Sequence, residues 1–265
     1  NAKMRVINAD GSEASMCGNG LRCVARYVCE KLNVSEALIE TMKANLKVKK
    51  EQPLFKQLPT YSVEISPVSF ALSSLPMWYK NQEAILNEVI EAFSPTIQFT
   101  AVSVPNPHLI GIVNDYYIKH QSHQFLLAQY LNNENEYCAD GVNVSYVYPM
   151  TDDSIYVRTY ERGVGFTNAC GTAMTASALV ANLNGIVKSN IVTVYNPGGF
   201  VKCVIDKEDS GYKLLLIGNA TIKQLYSLKV IDDSFEWIHC ESTGEQVEYE
   251  ECIKFVEQQI NPYLK

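Results

Sequence analysis

The sequence predicts an α+β fold of two pseudo-symmetric lobes, each a curled, mostly antiparallel sheet around one central helix. Two observations indicate this fold. Cys-Gly segments at Cys17 and Cys170 each precede a run with helical periodicity, which is typical of an internal repeat. Short β-branched and aromatic runs, bounded by turn residues, flank both segments. With 265 residues, 47% of them hydrophobic, the chain can bury a core in each lobe.

The two central helices are predicted from apolar residues that recur on one face at the i, i+3, i+4, i+7 spacing. These residues are Leu21, Val24, Ala25, Val28 and Leu32 after the first cysteine, and Ala176, Leu179, Val180 and Leu183 after the second. Asn184-Gly185 is a typical stop for the second helix. Two more helical patterns cover residues 82–93 and 248–259.

Strands are predicted at residues 4–7, 46–48, 61–65, 101–104, 109–113, 142–147, 155–159, 191–195, 200–205 and 213–217. We therefore expect an N-terminal lobe over residues 1–84 and a C-terminal lobe over residues 85–225, with the active site in the cleft between them. The N-terminal lobe lacks its first strands in this prediction and is joined by the 226–265 tail, which has no functional assignment.

Charge and hydropathy exclude several classes of partner. The net charge is −7 and the sequence pI is near 5.2, which argues against nucleic acid or an anionic membrane surface as a partner. No apolar run approaches the roughly 20 residues that span a bilayer. We expect a cytoplasmic protein with a small-molecule partner, and a homodimer is left open.

The eight cysteines do not have the spacing of a disulfide scaffold or a zinc site. No pair shows the C-x-x-C pattern, and His120 and His123 lie on a polar, loop-like stretch without a nearby cysteine or acidic ligand. We expect no metal site. Most of the cysteines are expected to be reduced and buried, but Cys17 and Cys170 differ because each precedes a helix.

A helix start is an unusual environment for a thiol. It presents unpaired backbone N–H groups and a partial positive charge of about half a unit. Such a site binds an anion such as an α-carboxylate, and a glycine next to the cysteine lets the ligand approach the backbone. The same field is expected to lower the pKa of the thiol.

Two such helix starts facing each other predict inversion at an α-carbon. One thiolate removes the α-proton, and the opposite thiol returns a proton to the other face. The helix N-termini hold the carboxylate oxygens on which charge develops. We find neither a Schiff-base lysine motif nor a nucleotide-binding glycine loop, so we expect no cofactor.

The segments around both cysteines resemble the signatures of the diaminopimelate epimerase family. Residues 8–13 with 16–23 are similar to the first signature, and residues 160–172 to the second. Four shorter segments resemble further blocks of the family: residues 105–108, 141–144, 196–199 and 218–220. Either cysteine signature alone would be shared with proline and hydroxyproline racemases, but Asn-Ala-Asp-Gly-Ser and Glu-Arg-Gly-x-Gly favour the epimerase.

The resemblance implies interconversion of LL- and meso-2,6-diaminoheptanedioate, on the way to lysine and peptidoglycan. It implies that Cys17 and Cys170 form the acid/base pair. It further implies a set of substrate-binding residues: Asn8, Gly18, Asn19, Asn106, Asn143, Glu161, Arg162, Gly171 and Thr172. Among these, the backbone N–H groups at both helix starts would hold the reacting carboxylate, Glu161 an ammonium, and Arg162 the distal carboxylate in a two-donor fork.

Three departures from the family pattern leave alternatives open. A stretch that includes a Gly-Asn-Asp-Phe block does not precede Asn1, so either the chain omits a segment or the lobe has lost strands. Ala173 and Met174 replace a more usual Gly-Ala pair, which we expect to put a side chain near the ligand. The tail beyond Ile231 extends past the usual end. A two-cysteine racemase of another amino acid and a non-catalytic binding homologue therefore remain as alternatives.

Overall fold

The computed structural model of this protein describes residues 2–7, 11, 13–14, 16–209, 211–232 and 234–264. The helices of that part of the chain are α1 (Gly18–Leu32), α2 (Asp115–Lys119), α3 (Ser122–Asn132), α4 (Gly171–Leu183) and α5 (Glu245–Leu264), with a 3-10 turn at Leu72–Ser74. Its strands are β1 (Ala2–Lys3), β2 (Val6–Ile7), β3 (Glu13–Ala14), β4 (Glu36–Glu40), β5 (Asn45–Glu51), β6 (Thr60–Ile65), β7 (Glu88–Val89), β8 (Gln98–Ser103), β9 (Pro107–Ile112), β10 (Asn143–Thr151), β11 (Ser154–Glu161), β12 (Gly165–Thr167), β13 (Ile191–Asn196), β14 (Gly199–Glu208), β15 (Gly211–Asn219), β16 (Gln224–Ile231) and β17 (Ser234–Ser242).

Most strands belong to one sheet, in the order β1-β4-β5-β6-β15-β14-β13-β11-β10-β9-β8-β7, with β12 paired to β11. The pairs β1–β4, β9–β10 and β11–β13 are parallel, and the other strand pairs of the described residues are antiparallel. The sheet curls around α1 and α4, whose apolar faces fill one buried cluster. The predicted α+β class is confirmed. Because β6 pairs with β15, both halves share the sheet, and the predicted lobe boundary stays a prediction.

The two central helices form where the apolar spacing predicts them. In α1, Leu21, Ala25 and Val28 are buried, but Leu32 at the helix end is exposed. In α4, every residue from Gly171 to Ala181 is buried, because the sheet surrounds this helix. The predicted stop is confirmed, since α4 ends before Asn184-Gly185 and Gly185 takes a φ of +69°.

The helix predicted over residues 82–93 is wrong. The segment is irregular apart from the short strand β7. Apart from a turn at Ile90–Phe93, its backbone bonds to neighbouring elements: the Ile85 carbonyl accepts from Ala101 N–H, and Asn87 N–H donates to the Thr100 hydroxyl. Asn87 has a φ of +53°, a left-handed conformation that interrupts a helix. Ile85 and the apolar residues that follow it in this segment pack into the buried core from a non-helical chain. This packing explains the apolar spacing of the sequence.

The stretch around His120 and His123, predicted as loop-like, is helical. His120 caps the end of α2, and His123 lies in the first turn of α3. The polar residue Gln124 is fully buried because its amide donates to the carbonyls of Val144 and Arg158. The sequence alone does not distinguish a buried, fully hydrogen-bonded glutamine from a solvated one. The spacing of apolar residues therefore could not identify this helix.

The tail folds back onto the rest of the chain. Strands β16 and β17 form a separate ribbon, and α5 is longer than the helix predicted over residues 248–259. An ion pair of 2.7 Å joins Glu245 of α5 to Arg26 of α1, and Tyr249 donates to the Gly198 carbonyl at 2.8 Å. In the described residues, no helix is both long and apolar enough to cross a membrane.

Candidate active site

Each of the two unusual cysteines is the N-cap of a central helix. Cys17 precedes α1 with φ −142° and ψ 104°, and Cys170 precedes α4 with φ −122° and ψ 110°. Both backbones are therefore extended up to the residue where helical hydrogen bonding begins. The Cys17 Sγ accepts a hydrogen bond from Gly20 N–H at 3.3 Å. The helix starts consequently present both sulfurs together with unpaired N–H groups, as the sequence predicts.

The two helix starts meet at a pair of glycines. A Cβ atom added to Gly171 would lie 3.1 Å from the Gly18 Cα and 2.8 Å from the Leu216 Cδ2. A Cβ atom added to Gly18 would lie 3.2 Å from the Gly171 Cα and 3.0 Å from the same Leu216 atom. Only glycine permits this approach of backbone to backbone. Two positive helix ends therefore converge, which is the arrangement that an anion between them would stabilise.

Asn19 bridges the two helix starts. Its side-chain amide donates to the Ala169 carbonyl, one residue before Cys170, at 3.2 Å. Its Oδ1 accepts from Arg22 Nη2 at 3.1 Å. The structure thus uses the Asn19 side chain to join α1 to the residue before Cys170, a role that the sequence analysis did not predict.

The two positions that depart from the family pattern, Ala173 and Met174, are both buried. Met174 packs into the buried cluster around the central helices, and Asn196 Nδ2 donates to the Met174 Sδ at 2.7 Å. Ala173 lies close to Cys170, because its backbone N–H donates to that thiol. The expectation that a side chain here lies near the ligand stays a prediction.

A polar cluster surrounds Cys170. The Thr172 hydroxyl lies 3.6 Å from the Cys170 Sγ, 3.5 Å from Asn106 Nδ2 and 3.1 Å from His108 Nε2. Asn106 Nδ2 also lies 3.5 Å from the Met16 carbonyl, so this side chain contacts residues next to both cysteines. The predicted residues Asn106 and Thr172 are therefore brought together with Cys170.

His108 is a member of this cluster that the sequence analysis left without a role. It is fully buried, and its Nδ1 has no hydrogen-bond partner among the described residues. Burial, together with the positive charge of Arg162, lowers the pKa of His108 to about 3. The imidazole is therefore neutral. Its position in the Pro-Asn-Pro-His block was the signal that could have marked it.

Glu161 is the last residue of β11, and Arg162 lies in the turn between β11 and β12. The turn needs glycine at Gly163, whose φ is +75°. Asn143 orients the turn, because its Oδ1 accepts from Arg162 N–H at 2.8 Å. The Arg162 side chain is exposed and donates from Nη1 to the Asp140 carbonyl at 2.7 Å. The structure thus joins Asn143, Glu161 and Arg162 in one loop.

The Glu161 carboxylate is aligned toward Cys170. The Thr167 hydroxyl donates to Glu161 Oε1 at 2.5 Å, and the charge of Glu161 acts on the Cys170 thiol. Burial, and to a smaller extent the charge of Glu161, raise the pKa of Cys170 to about 12, although hydrogen bonds from Ala173 N–H and Thr172 oppose the rise. The expected lowering of the thiol pKa is therefore wrong for Cys170, because desolvation outweighs the helix field. Cys170 is a thiol in the ligand-free protein.

The predicted substrate residue Asn8 lies outside the described residues. The described residues contain no group of histidines, cysteines and carboxylates that could hold a metal ion. A cavity of about 610 Å³ is lined by residues such as Leu38, Val48 and Leu215 and includes neither cysteine. The candidate site is therefore identified by the convergence of functional groups and not by cavity size.

The sequences of known proteins that are similar to this chain support the site described above. The sequence profile of the family described as Diaminopimelate epimerase matches residues 1–55 and 100–223. A diaminopimelate epimerase of Listeria monocytogenes is 50% identical over 259 residues, which are 97% of this chain and 78% of that protein. A diaminopimelate epimerase of Enterococcus faecalis is 47% identical over 264 residues, which are 97% of this chain and 80% of that protein.

Solved structures with a similar fold are much more distant in sequence. A hydroxyproline epimerase from Agrobacterium vitis, crystallised with trans-4-hydroxy-L-proline, has a TM-score of 0.55 and 13% identity. The similarity covers 82% of this chain and 67% of that one. At this identity the likeness shows the fold alone.

Proposed function

The chain belongs to the diaminopimelate epimerase family, and from this premise we propose that Cys17 and Cys170 are the acid/base pair of its reaction. The enzyme is an isomerase, a diaminopimelate epimerase. The observation that supports the assignment is the contact of Gly18 with Gly171, which brings together two helix starts that each carry an N-cap cysteine. Relatives named as diaminopimelate epimerases at about half identity disfavour both the other racemases and a non-catalytic homologue.

The reacting carboxylate binds between the helix starts. The N–H groups of Gly18 and Asn19 on α1, and of Gly171 and Thr172 on α4, belong to first turns that have no intrahelical acceptor. Two converging helix dipoles favour the negative charge, most of all when the α-carbon loses its proton and charge moves onto the carboxylate oxygens. The site therefore stabilises the transition state more than the substrate.

The proton transfer uses one sulfur on each face of the α-carbon. Cys170 is the thiol that donates, and Cys17 is the thiolate that accepts, when the α-proton leaves on the Cys17 side. The Cα–H bond breaks as the S–H bond of Cys17 forms, and the electron pair passes into the carboxylate. The electron pair then returns to Cα as this carbon takes the proton of Cys170. In the reverse direction the two sulfurs exchange roles.

The remaining predicted residues bind the rest of the zwitterion. Arg162 offers a planar fork of donors to the distal carboxylate, and Glu161 accepts from an ammonium. Asn106 and Asn143 supply amide groups, and we retain Asn8 in the same role. Both thiols must stay reduced, which supports a cytoplasmic location.

Single replacements of the two cysteines test the assignment. Cys17→Ala and Cys170→Ala should each reduce turnover at least about a hundredfold, since a positioned acid or base contributes about 10²–10⁴-fold. Cys23→Ala is the matched control: Cys23 is an exposed thiol on the same helix as Gly18, and its loss should leave turnover unchanged. Retention of turnover by either of the first two variants would show that the reaction does not use both thiols.

A further inference from the structure

Arg22 is a buried charged side chain that has no ion-pair partner among the described residues. Its residue is 6% exposed, and among the described residues it makes no salt bridge. The groups whose charges act on its guanidinium are Cys17, Cys23, Cys203 and Tyr249, none of which is a carboxylate. One of its nitrogens, Nη1, is buried and has no hydrogen-bond partner in the part of the chain that the structure describes.

Such a group is costly to the folded state. Burying a guanidinium without a carboxylate, and leaving an N–H unpaired, both oppose folding, and a methionine of similar shape would avoid both costs. The fold nevertheless makes room for this side chain at Gly218. A Cβ atom at Gly218 would lie 3.2 Å from the Arg22 Cζ and 2.9 Å from the Val201 Cγ1. The guanidinium thus packs directly against the backbone of β15, because Gly218 has no side chain.

The seated guanidinium connects β15 to both cysteine helices. Its Nε donates to the Asn219 carbonyl at 3.0 Å, and its Nη2 donates to Asn19 Oδ1 at 3.1 Å. Asn19 in turn donates to the Ala169 carbonyl at 3.2 Å, directly before Cys170. The fork holds two acceptors at a fixed separation, which a point charge cannot do.

We propose that Arg22 is a positioning residue of the epimerisation, which acts through Asn19 to fix the Ala169–Cys170 peptide relative to Cys17. The inference rests on the proposed function, because it concerns the distance between the two sulfurs and the α-carbon. It explains why a buried, unpaired charge is retained: the fork is needed for alignment and not for stability.

Arg22→Lys tests the proposal, since it keeps the charge and removes the fork. We expect kcat to fall about 10–100-fold, the range that displacement of a reacting group produces, with KM within about threefold. KM should change little because the loop that binds the distal end of the substrate is untouched.

Arg26→Lys is the matched control. Arg26 lies one turn further along α1, is equally buried, and donates to the neighbouring Ala220 carbonyl, but it faces Glu245 of α5. It should lose thermal stability to a similar extent and keep kcat within about twofold. An equal loss of kcat in both variants would overturn the proposal, because general loosening of α1 would then explain the effect.

Asn19→Ala and the double variant complete the test. Asn19→Ala leaves the arginine in place, so it reports on the connection even if the Arg22 variant folds poorly. The double variant Asn19→Ala/Arg22→Lys should lose no more kcat than the more damaged single variant, since both interrupt one chain of bonds. Losses of kcat that multiply would overturn the proposal. Failure of the proposed function itself would be seen separately, as turnover retained by Cys17→Ala.

Discussion

Gly171→Ala should separate the effect of the helix junction on activity from its effect on stability. The new methyl group would meet the Gly18 Cα at 3.1 Å and the Leu216 Cδ2 at 2.8 Å. The leucine methyl belongs to a flexible side chain and can move, but Gly18 is backbone at the start of α1. The two helix starts must therefore shift apart by a few tenths of an ångström.

The two consequences have different sizes. Alanine favours the helix over glycine by about 1 kcal/mol, and overpacking costs about 1–3 kcal/mol, so the free energy of unfolding should fall by only about 0–2 kcal/mol. Turnover should fall about 10–100-fold, because both sulfurs and the carboxylate site move relative to the α-carbon. Epimerisation is followed by chromatographic separation of the LL and meso forms, and stability by urea denaturation.

A second substitution distinguishes the two contacts. Gly171→Ala/Leu216→Val removes the clash with the leucine methyl, so Gly171→Ala should cost less stability in the Leu216→Val background than in the unmodified enzyme. Its turnover should stay low, because the backbone contact with Gly18 remains. Turnover of Gly171→Ala within about threefold of the unmodified enzyme would show that the junction does not position the sulfurs, because the expected loss of about 10–100-fold would then be absent.

Three further outcomes are expected. Arg162→Lys should raise KM about tenfold with a smaller change in kcat, because the two-donor fork is lost, and unchanged KM would show that Arg162 does not bind the distal carboxylate. With its pKa near 12, Cys170 is thiolate in about one molecule in ten thousand at pH 8, so iodoacetamide should modify it slowly. The rate of modification should rise about tenfold for each unit of pH. The rate is measured by mass spectrometry of the Cys170 peptide, with the exposed Cys23 as the internal reference. The pKa of His108 is near 3 in the folded protein and its ordinary value is 6.5. Protonation therefore favours the unfolded chain as the pH falls from 6.5 to 3, and the free energy of unfolding should decrease over that range. His108→Gln can keep the bond to Thr172, and it should lack this component of the decrease when stability is measured across the same pH range.

The sequence was sufficient to predict that a cysteine begins each of the two central helices, because a Cys-Gly pair precedes an apolar helical pattern twice. It predicted that the two helix starts face each other, but the backbone contact between Gly18 and Gly171 is known only from the structure. Most of the predicted strands form, since alternation and turn residues are local properties, but β4, β16 and β17 were not predicted. Extended segments with helical spacing, such as residues 82–93, misled the prediction because tertiary hydrogen bonds decided their conformation.

The properties that depend on burial could not be predicted. Desolvation raises the pKa of Cys170 although a helix start lowers it, and the sequence does not state how deeply a thiol is enclosed. The same is true of His108, whose ring is neutral because it is buried, and of Arg22, whose bonds join residues nearly two hundred positions apart. Histidine and arginine are residue types found mostly at or near the surface, and only the fold places these two side chains around the site.

Epimerisation of LL-diaminopimelate in D₂O, stopped at low conversion, distinguishes two thiols on opposite faces of one α-carbon from a single group that serves both faces. The thiols carry deuterium from the solvent when the substrate binds. With two thiols, the meso product carries deuterium at one α-carbon while the remaining LL substrate carries none, because the proton removed by Cys17 is not the one returned by Cys170. Deuterium in the remaining LL substrate, at a level equal to that in the product, would show that one group serves both faces and that the two-thiol assignment is wrong.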